Sequence, residues 1–220
     1  RQRQMCIRDR LVGFLAVLLL EWHNPATLGP MPLGGKLLAA FFQSATPRSG
    51  GFSTVPFERL QLPTLLIMMM LMYIGGGSGS TGGGIKTSTF AMLVGSAWNM
   101  VQGRGELIAF GRRVERDNVV RAATVVTLYT MLVLTAFFLL LVTNPQIGFL
   151  PLLFETVSAA ATAGLSLNVT GRLNHAGLLL LSMLMYLGRI GPLTFVVALS
   201  TRAQQNTGIR YPAERDILIG

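Results

Sequence analysis

From Ala122 to Thr143 the chain reads AATVVTLYTMLVLTAFFLLLVT, without one charged side chain. A membrane-spanning helix needs about 20 apolar residues in a row, so this stretch predicts one. Ala176–Ser200 predicts a second, interrupted by Arg189 in LGRIGP. Leu62–Ile74 is apolar but too short to cross alone. It becomes long enough only if the crossing continues through the following glycine-rich stretch into Ile85–Val101. Leu11–Leu20 predicts a partial fourth span, the stump of a longer helix.

Two shorter segments lie between these spans, LGGKLLAAFFQSATPRSGGF (Leu33–Phe52) and LPLLFETVSAAATAGL (Leu150–Leu165). Each opens with about ten residues fit for a short helix, then runs through small residues to a glycine and a bulky apolar residue. A shift of 113 positions lays Phe41 on Phe154, Gly51 on Gly164 and Phe52 on Leu165. Ser49-Gly50-Gly51-Phe52 then faces Thr162-Ala163-Gly164-Leu165. Pro47 stops the first short helix, because the residue before proline is pushed out of helical geometry. Pro151 suits the first turn of the second, where its missing N–H costs nothing. The order in both halves is spanning helix, short helix, small-residue loop, spanning helix. A repeat of this kind decides the fold reading. The expectation is an all-α membrane protein with units at 11–101 and 122–201, a connection at 102–121 and a tail at 202–220.

Composition agrees. Only 12% of residues are charged and mean hydropathy is +0.54, against about 25% charged in a soluble domain. The net charge of +9 does not predict nucleic-acid binding, because the arginines cluster at the ends of apolar runs without interleaved aromatics. Arg104, Arg112, Arg113, Arg116 and Arg121 crowd the connection, and Arg202, Arg210 and Arg215 the tail. The positive-inside bias puts both on the cytoplasmic side, so the short segments dip in from outside. The single cysteine, Cys6, excludes an intrachain disulfide and a cysteine-based zinc site. The opening decapeptide RQRQMCIRDR matches nothing that follows and reads as foreign. No small-residue cleavage site follows Leu20, as a secretory signal would require.

Non-helical backbone at membrane depth survives only where protein buries it or it lines a wet cavity. The two small-residue loops are therefore candidate pore linings, whose carbonyl oxygens replace an ion's hydration shell. The short helices would aim their partially negative C-terminal ends at a cation. The alternative is a pair of ordinary extracellular loops.

The stretch Gly75, Gly76, Gly77, Ser78, Gly79, Ser80, Thr81, Gly82, Gly83, Gly84 is seven-tenths glycine. Gly77 to Gly82 satisfies G-x-G-x-x-G, but no strand precedes it and the next acid is Glu106. The phosphate-binding P-loop fails as well, since Ile85 separates Gly84 from Lys86. Each glycine destabilises a helix interior by about 1 kcal/mol, so the stretch predicts a helix broken halfway across. Broken helices in transporters mark ion sites. Lys86 and Arg189 are charges within the apolar runs, and such charges are functional candidates by default. His23 and His175 stand alone near span edges and read as interfacial. No acid–base pair, nucleophile–base pair or metal-ligand cluster predicts an enzyme.

IGGGSGSTGGGIKTSTF resembles the broken helix of the third repeat in the Trk/Ktr/HKT superfamily of potassium transporters, whose usual form is close to GGSxGSTxGGIKT. ATPRSGGF resembles that family's third filter loop, SAAATAGLSL its fourth, LGRIGPLTF its last helix, and YPAERDILIG the C-terminus of the Ktr membrane subunit. These motifs run in order from about Ala40 to Gly220. The resemblance implies four helix–pore-loop–helix repeats around one axis, as in potassium channels, of which this chain carries two. It implies a filter of backbone carbonyls holding K+ at Ser49, Gly50, Gly51, Phe52, Thr162, Ala163, Gly164 and Leu165. Gly75–Gly84 with Lys86 would be the gate and Arg189 its neighbour. It further implies a multi-pass protein of a bacterial cell membrane, no bound cofactor, potassium uptake that can depend on sodium, a homodimer of the full-length chain, and a cytosolic ring of nucleotide-binding regulatory subunits. The third filter reads Ser-Gly-Gly-Phe where the family more often has Thr-Ala-Gly-Phe. Two other readings stay open: a non-conducting fragment that only packs or assembles, and a membrane protein whose glycine loop binds a nucleotide.

Overall fold

The computed structural model describes residues 2–48, 50–77, 82–103, 108–109, 112–113 and 116–190, with backbone alone at 2–9, 108–109, 112–113 and 116. The helices among them are α1 (Gln2–Glu21), α2 (Leu33–Ala45), α3 (Leu62–Tyr73), α4 (Thr87–Val101), α5 (Arg116–Thr143), α6 (Phe149–Ala160) and α7 (His175–Ile190). Strands β1 (Ile108–Ala109) and β2 (Arg112–Arg113) form a two-residue antiparallel ribbon between α4 and α5. The other regular elements among the described residues are helical, as the apolar patterning requires.

α1 packs on α2 and α3, and α5 packs on α6 and α7; α6 also packs on α7, a contact without an equal between α2 and α3. The halves meet where α3 lies against α6 and α4 against α5. The ring of Phe57, ahead of α3, is 5.9 Å from that of Phe154 on α6, and the Tyr73 ring of α3 is 5.4 Å from Tyr129 on α5. Met68, Met72, Tyr129, Leu140, Leu152 and Phe154 are fully buried in one apolar core.

α5 shows which solvent this fold expects. Tyr129, Val133, Ala136, Phe137 and Leu140 form its buried stripe, while Met131, Leu134, Phe138 and Val142 stand exposed on the other side. A helix bordering water carries polar residues on its outer face; here the outer face is as oily as the inner one and suits hydrocarbon. By length and composition Asp117–Thr143 is the helix among the described residues able to cross a membrane. It begins inside the expected connection, with Asp117 in the first turn, where a negative charge complements the helix dipole. α3 and α7 are apolar but shorter. The expected span Ala176–Ser200 is helical to Ile190, and its remainder and the tail lie outside the described residues.

Buried oxygen acceptors tie α1 and α5 to the helices that follow each loop. The Glu21 carboxylate ends α1 and accepts hydrogen bonds from Asn24 Nδ2 (2.6 Å), Thr27 Oγ1 (2.7 Å), Gln61 N (2.9 Å) and Thr64 Oγ1 (2.5 Å). Gln61 is the N-cap of α3. In the second half Asn144, just past α5, accepts from Asn174 N through Oδ1 at 2.9 Å. Asn174 directly precedes α7, and its own Oδ1 accepts from Gly177 N at 2.7 Å. Orphaning a buried donor costs about 1–3 kcal/mol. Glu21→Ala, which strands three donors and leaves Asn24 Nδ2 with Arg59 O alone, is thus expected to lower unfolding free energy by at least about 3 kcal/mol. The unfolding midpoint of the detergent-solubilised chain measures this, and Glu21→Gln should lie between the two.

Candidate functional site

The site is built where α2 and α6 end. α2 stops at Ala45, two residues before Pro47, and its chain turns back with Gly50 N bonded to Thr46 O at 3.0 Å. A Cβ at Gly50 would meet Thr46 Oγ1 at 2.9 Å, so no larger residue fits this turn. α6 stops at Ala160, and Ala163 N bonds to Ser158 O at 2.9 Å. The two returning strands bring Gly51 and Gly164 together: a Cβ built on Gly164 would lie 3.3 Å from Gly51 Cα. Both glycines have positive φ, +67° and +77°, a backbone region in which glycine alone is at ease.

Each loop is propped from behind by its own short helix. In the first, Thr46 Oγ1 donates to Phe52 O, and Gln43 Nε2 donates to Ser53 Oγ at 3.3 Å. In the second, Ser158 Oγ accepts from Leu165 N at 2.9 Å. The buried Glu155 carboxylate accepts from Ser166 Oγ and, at 3.1 Å, from Thr170 Oγ1. The props work in opposite senses: Gln43 and Thr46 donate, whereas Glu155 and Ser158 accept. Five residues lead from the end of α2 to Gly51 and three from the end of α6 to Gly164. In the second of these loops Thr162 sits at φ +52°, an outlier for a β-branched residue. Phe52 is 75% exposed, whereas its counterpart Leu165 is buried in the core.

The glycine stretch lies against the same place. α3 ends at Tyr73 and α4 begins at Thr87, so the helix is interrupted as its glycine content requires. Ile74 and Ile85 nevertheless pair as a bridge, with Ile85 N bonded to Tyr73 O at 3.1 Å. The stretch is thus an excursion that returns to its starting point. Gly83 N donates to Thr162 Oγ1 at 3.0 Å, and a Cβ at Gly83 would meet Ala161 O at 2.9 Å. A Cβ at Gly188 on α7 would fall 2.1 Å from Ala160 O. Glycines from both halves thereby let backbone approach the carbonyl end of α6. Lys86 Nζ donates to Gly82 O at 2.8 Å, so the charge is met by a carbonyl of the stretch itself. Arg189, next to Gly188, is exposed on the last turn of α7. Ser49, Ser78, Gly79, Ser80 and Thr81 lie outside the described residues.

The family model described as TrkH, cation transport protein, matches residues 11–210. The chain belongs to the TrkH family. The match begins directly after the opening decapeptide. Ktr system potassium uptake protein B of Vibrio alginolyticus is 41% identical over 96% of this chain and 45% of its own length. The potassium/sodium uptake protein NtpJ of Enterococcus hirae is 35% identical over 96% of this chain and 47% of its own. The crystal structure of the potassium transporter TrkH from Vibrio parahaemolyticus superposes with a TM-score of 0.76 at 22% identity, covering 90% of this chain and 44% of that one. The chain thus spans a little under half the length of the relatives it matches. That likeness shows that the chain shares the fold of TrkH over the part it covers. Among the described residues there is no cluster of three or more histidine, cysteine or acidic side chains able to hold a metal.

Sequence reading missed two residues here. Glu155 is a buried acid hidden in a short apolar helix, signalled only by its place in LPLLFETVS. Glu21 was visible only as the polar end of Leu11–Leu20.

Proposed function

We propose that the full-length protein takes up potassium across a bacterial cell membrane through a filter of backbone carbonyls, to which this chain contributes Ser49–Phe52 and Thr162–Leu165. The carrying observation is the pairing of Gly51 with Gly164, both at positive φ, at the ends of two short helices. Loops in this conformation can turn carbonyl oxygens toward a common path, and such oxygens substitute for the water around a dehydrated alkali ion. The ends of α2 and α6 add partial negative charge at the same place. A closed filter needs further repeats, which the longer relatives have room for.

The stretch from Gly75 to Gly84, with Lys86, is the gate in this reading. It rests against the end of α6 through Gly83, and Lys86 anchors it through Gly82. Arg189, next to Gly188 on α7, is its neighbour in this reading. Sodium dependence, a homodimer and a cytosolic ring of nucleotide-binding regulatory subunits complete the proposal on the strength of the family resemblance.

Expression of the full-length protein in bacteria lacking their own potassium uptake should restore growth at low potassium and give saturable rubidium uptake. A correctly inserted protein that supports neither would sink the reading.

A further inference from the structure

We propose that the buried Glu155 carboxylate is the fixed countercharge of the second loop, raising that loop's affinity for a cation through its field and not by contact. This rests on the filter reading above and adds to it a residue that sets how tightly the ion is held.

A feature shared by the two loops makes the difference between them visible. Ser53 stands two residues beyond Gly51, and Ser166 two residues beyond Gly164. Each serine is held by a buried side chain of the short helix before its loop. Gln43 Nε2 donates to Ser53 Oγ at 3.3 Å, whereas Ser166 Oγ donates to Glu155 Oε1. The brace behind the loop is thus neutral in one half and acidic in the other.

An amide suffices as a brace, as Gln43 shows, so the acid needs a further reason. Glu155 is 4% exposed. Among the described residues the partners of its carboxylate are hydroxyls alone, Ser166 Oγ and, at 3.1 Å, Thr170 Oγ1. Both donate to the same oxygen, which is how an ionised carboxylate is met, since it accepts and does not donate. Hydroxyls orient toward such a charge but do not cancel it, and a buried charge without an opposite one is costly. A cation held in the adjoining loop offsets that cost. Glu155 stands five residues before the end of α6, about 7.5 Å along the helix axis, and it grips the exit of the loop through Ser166. An ion beside Gly164 is therefore within reach of its field, in surroundings that screen far less than water. The field adds to the partial negative charge at the end of α6.

The test compares Glu155→Gln, Glu155→Asp and the unmodified full-length protein. The first readout is made in detergent, with choline chloride exchanged stepwise for potassium chloride. It is the potassium concentration giving half of the rise in unfolding temperature, because an ion bound by the folded state alone stabilises it by mass action. The second is the apparent KM for rubidium uptake, with sodium competition measured beside it. Glutamine keeps the shape and can still accept from Ser166, but carries no charge. It should raise the half-stabilising potassium concentration and the KM about fivefold or more, with discrimination against sodium kept within about twofold. Aspartate keeps the charge but is too short for the same grip, and should stay within about twofold of the unmodified protein in both affinities. A brace without an electrostatic role gives the reverse, a neutral glutamine and an impaired aspartate. That pattern overturns the proposal, as does a glutamine protein of unchanged affinity or an aspartate protein weakened as much as the glutamine one. If the glutamine protein does not fold, the aspartate protein decides, and a loss of about fivefold there overturns the countercharge. Absence of uptake by the unmodified protein would instead sink the transport reading, and the potassium titration would still decide the countercharge. Absence of both uptake and stabilisation overturns the two together.

Discussion

Gly164→Ser in the full-length protein is expected to weaken discrimination between potassium and sodium by at least about tenfold, equivalent to about 1.4 kcal/mol. Two effects act in the same direction. The residue sits at φ +77°, and a left-handed backbone costs a non-glycine residue about 1–2 kcal/mol. The new Cβ would also press on Gly51 Cα at 3.3 Å, closer than ordinary contact, so both loops must shift. A filter selects by where its oxygens stand and how firmly they stand there, and in the proposed filter one substitution disturbs two loops. Gly51→Ser is expected to act more weakly, because its Cβ would meet Ala163 O at an ordinary 3.6 Å. Competition of sodium against rubidium uptake measures both. Unaltered discrimination in the Gly164 variant would argue that this glycine does not line the ion path.

Removing Gly76–Gly83 should raise the maximal uptake rate several-fold while leaving ion preference near that of the unmodified protein. The deletion joins Gly75 to Gly84, which are already neighbours: a Cβ on Gly84 would lie 3.2 Å from Gly75 Cα and 3.2 Å from Gly75 N. Consecutive Cα atoms are 3.8 Å apart, so the new bond asks little of α3, α4 or the Ile74–Ile85 bridge. The obstruction is removed and its frame is kept. A rate that falls or stays level, in protein that inserts normally, would mean that the stretch does not limit flow.

Much of this fold is legible in the sequence because apolar length and glycine position are local signals. The short helices of Leu33–Ala45 and Phe149–Ala160, the stop before Pro47 and the break after Tyr73 follow from residues within a turn or two of each boundary. The pairing of Gly51 with Gly164 follows from the repeat, once the two loops are laid on each other. What escapes is set by partners distant in sequence. Glu21 reads as a polar helix end, yet its partner Gln61 N is forty residues on. The shift of 113 aligns the glycines but does not foretell the props behind them, since Thr46 donates to a carbonyl of its loop while Ser158 accepts from an amide of the other. Arg189 lies within an apolar run, but its exposure on α7 depends on which neighbour occupies that face.

The buried ties at Glu21 and Asn144 bear on how such halves diverge. One uses a carboxylate and the other an amide, yet each presents an oxygen to a main-chain N–H at the entrance of the next helix. The requirement at that spot is for a lone pair, not for a letter or a charge. The two halves can thus differ in spelling while the joinery within each stays the same, and their likeness is better traced by who donates to whom than by percent identity.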